Sequence, residues 1–185
     1  MLRQKRKEND SSRRLYISYH HRNPNPSDPS TLAYSIILAD KNPHPDATTA
    51  TRYRVAREEE PYDTNGLSEW AFQAQPDHST RSIRPLSLMF LSKVAVEVTP
   101  VQIRDILAVV PVKPTDLVWD TAAWVTTAIA ALQRAGLAPS QPDARTMLTI
   151  GAQFAREYGY RPGNLTVPTC NVIGEGIPSE VAKGQ

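Results

Sequence analysis

The sequence predicts one α+β domain, an antiparallel β-sheet with helices packed on one face. Five stretches with strand-like apolar patterns occupy the first half of the chain, between residues 14 and 94. Three stretches with helical apolar spacing follow, between residues 100 and 158. A run of strands followed by a run of helices is typical of α+β domains, in which helices segregate to one side of an antiparallel sheet.

Length and composition agree with a single domain. The chain has 185 residues, of which 40% are hydrophobic and 22% are charged, as in ordinary globular proteins. The single cysteine, Cys170, excludes an intramolecular disulfide and argues against a cysteine-based metal site. No stretch approaches the roughly 18 apolar residues of a membrane span, and no signal-peptide pattern is visible. We therefore expect a cytoplasmic protein with no membrane span, no metal site and no cofactor.

The net charge of +2 is unevenly distributed along the chain. Residues 1–14 contain six basic and two acidic residues, and six minus two gives +4, so residues 15–185 carry −2. A nucleic-acid-binding domain would carry basic residues on its folded surface, so we expect no nucleic-acid partner. We predict a disordered basic tail over 1–14 and a single domain over 15–185. A nuclear-import signal or an anionic surface is the alternative for the tail.

The predicted strands cover residues 14–20, 32–38, 51–56, 68–74 and 88–94. The first and third alternate between apolar and polar residues, as strands with one buried face do. The second is apolar almost throughout, which favours a central position in the sheet. The fourth places Trp70 and Phe72 on the same face. Loops rich in proline, asparagine and aspartate separate the first strands.

Each predicted helix has a start signal. Thr99 is an N-cap before Pro100 for a helix to residue 109, and Pro142-Asp143 opens a helix that ends near residue 158. The best-defined helix covers 120–135, with Asp120 as N-cap and Gly136 at the left-handed position after its end. The apolar face of this helix, at helical spacing, consists of Thr121, Val125, Ala128, Ile129 and Leu132.

The chain from Gly159 onward is rich in proline and glycine, and we predict that it is extended. Val167, Val172 and Ile173 should dock on the body of the domain. Cys170 has no neighbouring histidine in the sequence, so we interpret it as a small apolar packing residue.

Short landmarks recur through the chain in a recognisable order. They are Tyr19-His20, Ala33-Tyr34-Ser35-Ile36-Ile37-Leu38, Arg52-Tyr53-Arg54-Val55, Trp70 with Phe72, Leu91-Ser92-Lys93-Val94, Ile106-Leu107-Ala108-Val109-Val110-Pro111-Val112 and Trp119-Asp120-Thr121-Ala122-Ala123-Trp124-Val125. This order resembles a family of filamentous-fungal proteins of similar length, over almost the whole chain from Leu15. That family in turn resembles the circularly permuted papain-like fold of lecithin retinol acyltransferase and its relatives.

The resemblance implies the positions of a former catalytic pair. Its members carry a histidine on an early strand and an Asn-Cys pair at the start of a later helix, where the cysteine attacks an acyl or peptide carbonyl. Here the Asn-Cys pair falls on Asp120-Thr121, and the histidine falls on about Ala33 or Tyr34. A threonine hydroxyl is far less acidic than a thiol, so cysteine-type acyl transfer is disfavoured. We interpret Thr121 as a first-turn side chain that bonds to backbone.

Three function hypotheses follow. The first is a degenerate papain-like domain, a pseudoenzyme that binds a small molecule or peptide in the groove beside helix 120–135. The alternative is an isomerase, cyclase or hydrolase of fungal specialised metabolism, which would use acid–base chemistry in the same groove. The candidate catalytic residues are Asp120, Thr121 and His20. A host-interaction or regulatory protein is a third interpretation, and only the basic tail favours it.

Four aromatic residues are candidates for ligand binding, namely Tyr34, Tyr19, Tyr53 and Trp124. Aromatic residues on strands are more often core residues with the hydroxyl at the rim. Similarly, His20 at a strand end is more often a half-exposed polar residue than a catalytic base. The loop histidines, His44 and His78, lack metal-ligand spacing.

Overall fold

The computed structural model describes residues 12–21, 32–41, 50–57, 70–76, 85–113, 120–161 and 166–179. Within these ranges, seven strands form one open sheet and three helices accompany it. The elements are β1 Arg13–His21, β2 Leu32–Asp40, β3 Ala50–Arg57, β4 Trp70–Pro76, β5 Ser87–Val94, α1 Pro100–Ala108, α2 Thr121–Arg134, α3 Ala144–Tyr158, β6 Thr169–Cys170 and β7 Gly176–Ile177. The predicted α+β class is confirmed. None of the helices in these ranges has the length and apolar character needed to span a membrane.

The sheet has β1 at its centre, in the order β4-β3-β2-β1-β5-β6-β7. Strand pairs are antiparallel except β5 with β6, which are parallel. Alternate residues of a strand point to opposite faces, and Leu15, Ile17 and Tyr19 of β1 join the main core with the helices. The other face carries a smaller buried cluster that includes Tyr16 and Ile37. The central strand is therefore buried on both faces.

The predicted start signals position all three helices. Thr99 forms a capping box with Gln102, whose amide donates to the threonine hydroxyl at 3.2 Å. Asp120 accepts a hydrogen bond of 3.0 Å from the amide of Ala123, and Asp143 caps α3 in the same way. Each cap pairs backbone amides that the first turn leaves without partners. Local sequence is therefore sufficient to set where these helices begin.

The end of α2 also follows the sequence prediction. Gly136 has a φ of +71°, the left-handed conformation that glycine adopts without strain. The amide of Gly136 donates to the carbonyl of Gln133 at 3.0 Å, and the amide of Leu137 donates to that of Leu132 at 2.9 Å. This pair of hydrogen bonds is the Schellman motif, which ends the helix and turns the chain.

β3 separates from the first half of β2, and the start of α2 bonds to β2 at that place. In the described ranges, β2 pairs with β3 only from Ile36 to Ala39, whereas β3 stays paired with β4 as far as Arg57. The first half of β2 instead contacts α2, where the backbone amide of Tyr34 donates to Thr121 Oγ1 at 3.2 Å. The N-terminus of α2 is thus anchored directly to a strand.

The boundaries differ from the predictions at both ends of the domain. β1 begins at Arg13, so Arg13 and Arg14, which we counted with the tail, belong to the sheet. Arg13 donates to Asp40 at 3.2 Å and to the carbonyl of Val98 at 2.9 Å, which explains why the strand begins there. Residues 1–11 of the predicted tail lie outside the described residues, as do His44 and His78.

The C-terminal segment docks on the domain through two short strands that sequence patterns do not reveal. Val172 packs against the main core and Val167 against the smaller cluster, as predicted. The prediction for Ile173 is wrong, because 62% of this residue is exposed. Cys170 lies in β6 and is fully buried, which confirms it as a packing residue.

Candidate functional site

A cavity of about 540 Å³ lies where the end of β1 and the start of β2 meet the C-terminal part of α3. Its volume is in the range of sites that hold small molecules, roughly 300–1,000 Å³. The described residues that line it are His21, Leu32, Leu86, Ala155, Arg156, Gly159, Tyr160 and Arg161. The cavity therefore brings together four segments that are distant in the sequence.

Backbone hydrogen bonds hold these segments together. His21 and Leu32 are a cross-strand pair at the open end of β1 and β2. The amide of Leu86 donates to the carbonyl of Tyr19 at 2.7 Å, and the carbonyl of Leu86 accepts from the amide of Tyr160 at 2.6 Å. The chain that leaves α3 is thus tied through Leu86 to the central strand, which makes this wall part of the sheet framework.

Gly159 allows the chain to turn into this wall. It is the C-cap of α3, and a Cβ atom at this position would lie 2.3 Å from the carbonyl oxygen of Ala155. Any other residue would therefore have to shift the helix end. The turn places Arg156 in the last turn of α3 and Arg161 beyond it, both beside the cavity.

The cavity has apolar walls, and two arginines and a histidine lie around them. Arg156, Arg161 and His21 are exposed at its lining. Among the described residues, no carboxylate forms an ion pair with either arginine, whereas the exposed Arg104 pairs with Asp105 at 2.9 Å. The two guanidinium groups are thus available to a ligand.

Tyr34 connects the cavity region with the start of α2. Its ring packs edge-on against Tyr19, with 5.5 Å between the ring centroids. Partial burial raises the pKa of the Tyr34 hydroxyl, the positive charge of Arg156 opposes the increase, and the negative charge of Asp120 adds to it. Asp120, Thr121 and Tyr34 therefore lie together, as the family resemblance implies for these positions.

The sequence model of a family of unknown function, DUF6914, matches residues 12–158. The chain belongs to this family. No curated protein and no solved structure matches the chain significantly. The DUF6914 match covers β1–β5 and all three helices and ends at Tyr158, the last residue of α3. Gly159, Tyr160 and Arg161 of the cavity follow it directly.

The hydroxyl of Thr121 bonds to backbone, as we inferred from the sequence. Its partner is the Tyr34 amide of β2. Asp120 is occupied as the N-cap of α2 through its bond from Ala123. Both side chains thus have structural contacts, and a catalytic role for either one stays a prediction.

His20 lies on the other face of the sheet. Tyr19 faces the helices, so the adjacent His20 points away from them and from Tyr34, the cross-strand partner of Tyr19. Its Nε2 atom is 3.0 Å from Ser18 Oγ and 3.4 Å from Ser35 Oγ. The expectation of a half-exposed histidine is wrong, because only 8% of His20 is exposed. His20 therefore does not converge with Asp120 and Thr121 in this conformation.

The environment of His20 favours its neutral form. Burial lowers the pKa of this imidazole to about 3, and the positive charges of Arg52 and Arg54 contribute to the decrease. Its Nδ1 atom is buried and has no hydrogen-bond partner among the described residues. Among the described residues, no carboxylate therefore orients this ring in the way that the third member of a catalytic triad would.

Three of the four predicted ligand-binding residues are fully buried, namely Tyr19, Tyr53 and Trp124. The hydroxyl of Tyr53 donates to the carbonyl of Pro100 at 2.8 Å, and the ring of Trp124 packs 5.7 Å from that of Phe72. Burial raises the pKa of both tyrosines. In this conformation none of the three is open to a ligand, so their predicted binding role is untested. Tyr34 is half-buried.

Metal-binding and thiol chemistry find no support in the described part of the chain. No group of three or more histidine, cysteine, aspartate or glutamate side chains is placed there to hold a metal ion. Burial raises the pKa of the Cys170 thiol to about 11, so it is not a reactive thiolate near neutral pH.

The sequence prediction missed the cavity residues of α3 and of the segment after it. Arg156, Tyr160 and Arg161 lie where a helix gives way to a glycine and an extended chain, which resembles an ordinary helix end. The sequence did contain one signal for this site, namely two arginines within the six residues 156–161, at the end of a helix with an apolar face. The wall itself depends on Leu86, which is far away in the sequence.

Proposed function

We propose that this protein binds a small molecule with an apolar body in the cavity beside α3. The observation that carries the proposal is the cavity itself, about 540 Å³ with apolar walls formed by Leu32, Leu86 and Ala155. Apolar surface removed from water stabilises a complex by about 25 cal/mol per Å². A cavity with these walls therefore favours an apolar ligand over a polar one.

A small molecule fits this site better than a peptide. Extended peptides are usually bound along a sheet edge or a long groove, where backbone groups can pair. The cavity lies instead at the junction of β1, β2, Leu86 and α3, where the described backbone groups of Leu86 and Tyr160 are already paired. The predicted groove beside helix 120–135 is replaced in this proposal by a site beside α3.

We also propose that the fold is a permuted papain-like scaffold, as the sequence resemblance implies. The resemblance aligns the former nucleophile with Thr121 and the former histidine with about Tyr34. These two residues are in direct contact, since the Tyr34 amide donates to Thr121 Oγ1. This contact supports a scaffold in which the old catalytic positions now hold a strand and a helix together.

The alternative of an acid–base enzyme stays a prediction. Its candidate groups, Asp120, Thr121 and His20, are divided between the two faces of the sheet. General acid–base catalysis requires the groups to reach the same substrate atoms, within about 3 Å. The observed placement therefore favours binding over catalysis.

Titration with the neutral fluorophore N-phenyl-1-naphthylamine tests the proposal. We expect saturable binding to one site, with increased fluorescence in the apolar cavity. The variant Leu86→Trp narrows the cavity and should weaken binding by about tenfold, which corresponds to about 1.4 kcal/mol. The matched control is Leu137→Trp, because Leu137 is also half-buried but does not line the cavity.

Circular dichroism and thermal unfolding should show that both tryptophan variants are folded. Binding that is absent in the native chain, or equally strong in the native chain and in Leu86→Trp, would refute the proposal. Equal loss in both variants would also count against it, because the effect would then not belong to the cavity.

A further inference from the structure

We propose that the ligand of this cavity is a small anionic amphiphile, with one apolar body and one acid group bound by Arg156 and Arg161. This inference rests on the proposed function and makes it more specific. It predicts that the acid group of the ligand contributes to affinity through Arg156 and Arg161. Another exposed arginine of α3, such as Arg145, should make no such contribution.

The two arginines converge on the cavity for structural reasons. Arg156 is in the last turn of α3, four residues before Tyr160, whose amide is bonded to Leu86. Arg161 follows Tyr160 directly, so the same hydrogen bond holds it beside the cavity. The two cations therefore border one cavity although they belong to different local structures.

Two arginines elsewhere in the described part of the chain pair with carboxylates, whereas Arg156 and Arg161 do not. Arg13 pairs with Asp40 at 3.2 Å and Arg104 with Asp105 at 2.9 Å, so nearby carboxylates are used where they exist. No described carboxylate pairs with Arg156 or Arg161. Two unpaired like charges beside one cavity repel each other, and an anionic group between them removes that repulsion.

The nearest other charges do not replace a ligand anion. Asp120 acts electrostatically on Tyr34, as Arg156 does, but its Oδ1 atom is bonded to the amide of Ala123. The Tyr34 hydroxyl remains a neutral group, because its pKa is raised. Among the described lining residues, a carboxylate on the ligand would therefore face two arginines and no aspartate or glutamate.

Arginine suits this role because of its geometry. The planar guanidinium group presents parallel N–H donors that match the two oxygens of a carboxylate. The cavity volume of about 540 Å³ limits the remainder of the ligand to one compact apolar body. A free single-chain or single-ring carboxylic acid has this chemistry.

Displacement of bound N-phenyl-1-naphthylamine by decanoic acid and by decan-1-ol, above the pKa of the acid, tests the inference. The two competitors share an apolar chain and differ in the acid group. In the native chain we expect decanoate to displace the probe at about tenfold lower concentration, the size expected for two exposed charge contacts. Added salt should reduce this ratio, since exposed charges are screened.

In the double variant Arg156→Gln/Arg161→Gln, with the probe affinity of that variant measured first, the two competitors should displace the probe at equal concentrations. The matched control is Arg145→Gln, because Arg145 is also exposed on α3 and is 11 residues, or about 16 Å, from Arg156 along the helix. This control should retain the native ratio. Far-ultraviolet circular dichroism checks that each variant is folded.

The outcomes separate the two proposals. Equal displacement by acid and alcohol in the native chain overturns the anionic class and leaves the apolar cavity standing. A preference for the acid that persists in the double variant, or that disappears in Arg145→Gln, also overturns it. If the neutral probe does not bind the native chain, the proposed function fails and the anionic ligand fails with it.

Discussion

Acid should destabilise this protein through His20 more than through any exposed histidine. The imidazole has an ordinary pKa of 6.5 in the unfolded chain, whereas burial lowers the pKa to about 3 in the folded chain. Between these two values the unfolded state binds a proton that the folded state does not. The stability contributed by the neutral imidazole is therefore present above pH 6.5 and is lost as the pH falls from about 6.5 towards about 3.

The magnitude follows from the interval that is titrated. One pKa unit corresponds to about 1.4 kcal/mol, and the interval from 6.5 down to about pH 5 spans about 1.5 units. We therefore expect the free energy of unfolding to fall by about 2 kcal/mol through His20 between about pH 7.5 and about pH 5. Carboxyl groups also titrate at the lower end, so the effect must be measured as a difference between variants.

Urea unfolding, followed by tryptophan fluorescence, measures this difference at the two pH values. The change in unfolding free energy with pH should be about 2 kcal/mol smaller in His20→Gln than in the native chain. His21→Gln is the control, because His21 is the exposed neighbour in the same strand, and it should behave as the native chain does. If the free energy of unfolding depended on pH in the same way in all three proteins, His20 would not be buried in its neutral form.

Two further substitutions test the packing around the candidate site. At an exposed helix position, a Gly→Ala substitution would raise the free energy of unfolding by about 1 kcal/mol. In Gly151→Ala, however, the Cβ atom would lie 1.9 Å from the Tyr19 hydroxyl oxygen. We therefore expect the free energy of unfolding to fall by about 1–3 kcal/mol. A stabilised Gly151→Ala variant in urea unfolding would contradict this. Thr121→Val leaves the Tyr34 amide without its acceptor and should cost about 1–3 kcal/mol, whereas Thr121→Ser keeps the hydroxyl and should cost less. Equal unfolding free energies for the valine and serine variants would mean that the hydrogen bond does not matter.

Local signals in the sequence predict most of the elements of this fold. Thr99, Asp120 and Asp143 each cap the helix that they were predicted to start, because capping depends on a few adjacent residues. β6 and β7 were missed because two-residue strands have no periodicity to detect. The parallel pairing of β5 with β6 depends on a long connection and has no local signal either.

The candidate site was harder to predict because it depends on contacts between segments that are distant in the sequence. Asp120, Thr121 and Tyr34 were expected together, and this expectation came from the family resemblance rather than from spacing. The cavity depends on the hydrogen bonds of Leu86 to Tyr19 and Tyr160, which join distant segments. Alternation along β1 places neighbouring residues on opposite faces, but it does not reveal that both faces of this strand are buried. The environment of His20 follows from that second buried face.

The contact between Thr121 and Tyr34 gives a physical reason for a first-turn hydroxyl at this position. β3 leaves β2 after the Ile36–Tyr53 pair, so the Tyr34 amide needs another acceptor. The Thr121 hydroxyl supplies one, and a thiol would be a weaker acceptor. Threonine at this position therefore ties α2 to β2. The positive charge of Arg156 also acts on the pKa of the Tyr34 hydroxyl, so this strand residue is linked electrostatically to the proposed ligand site.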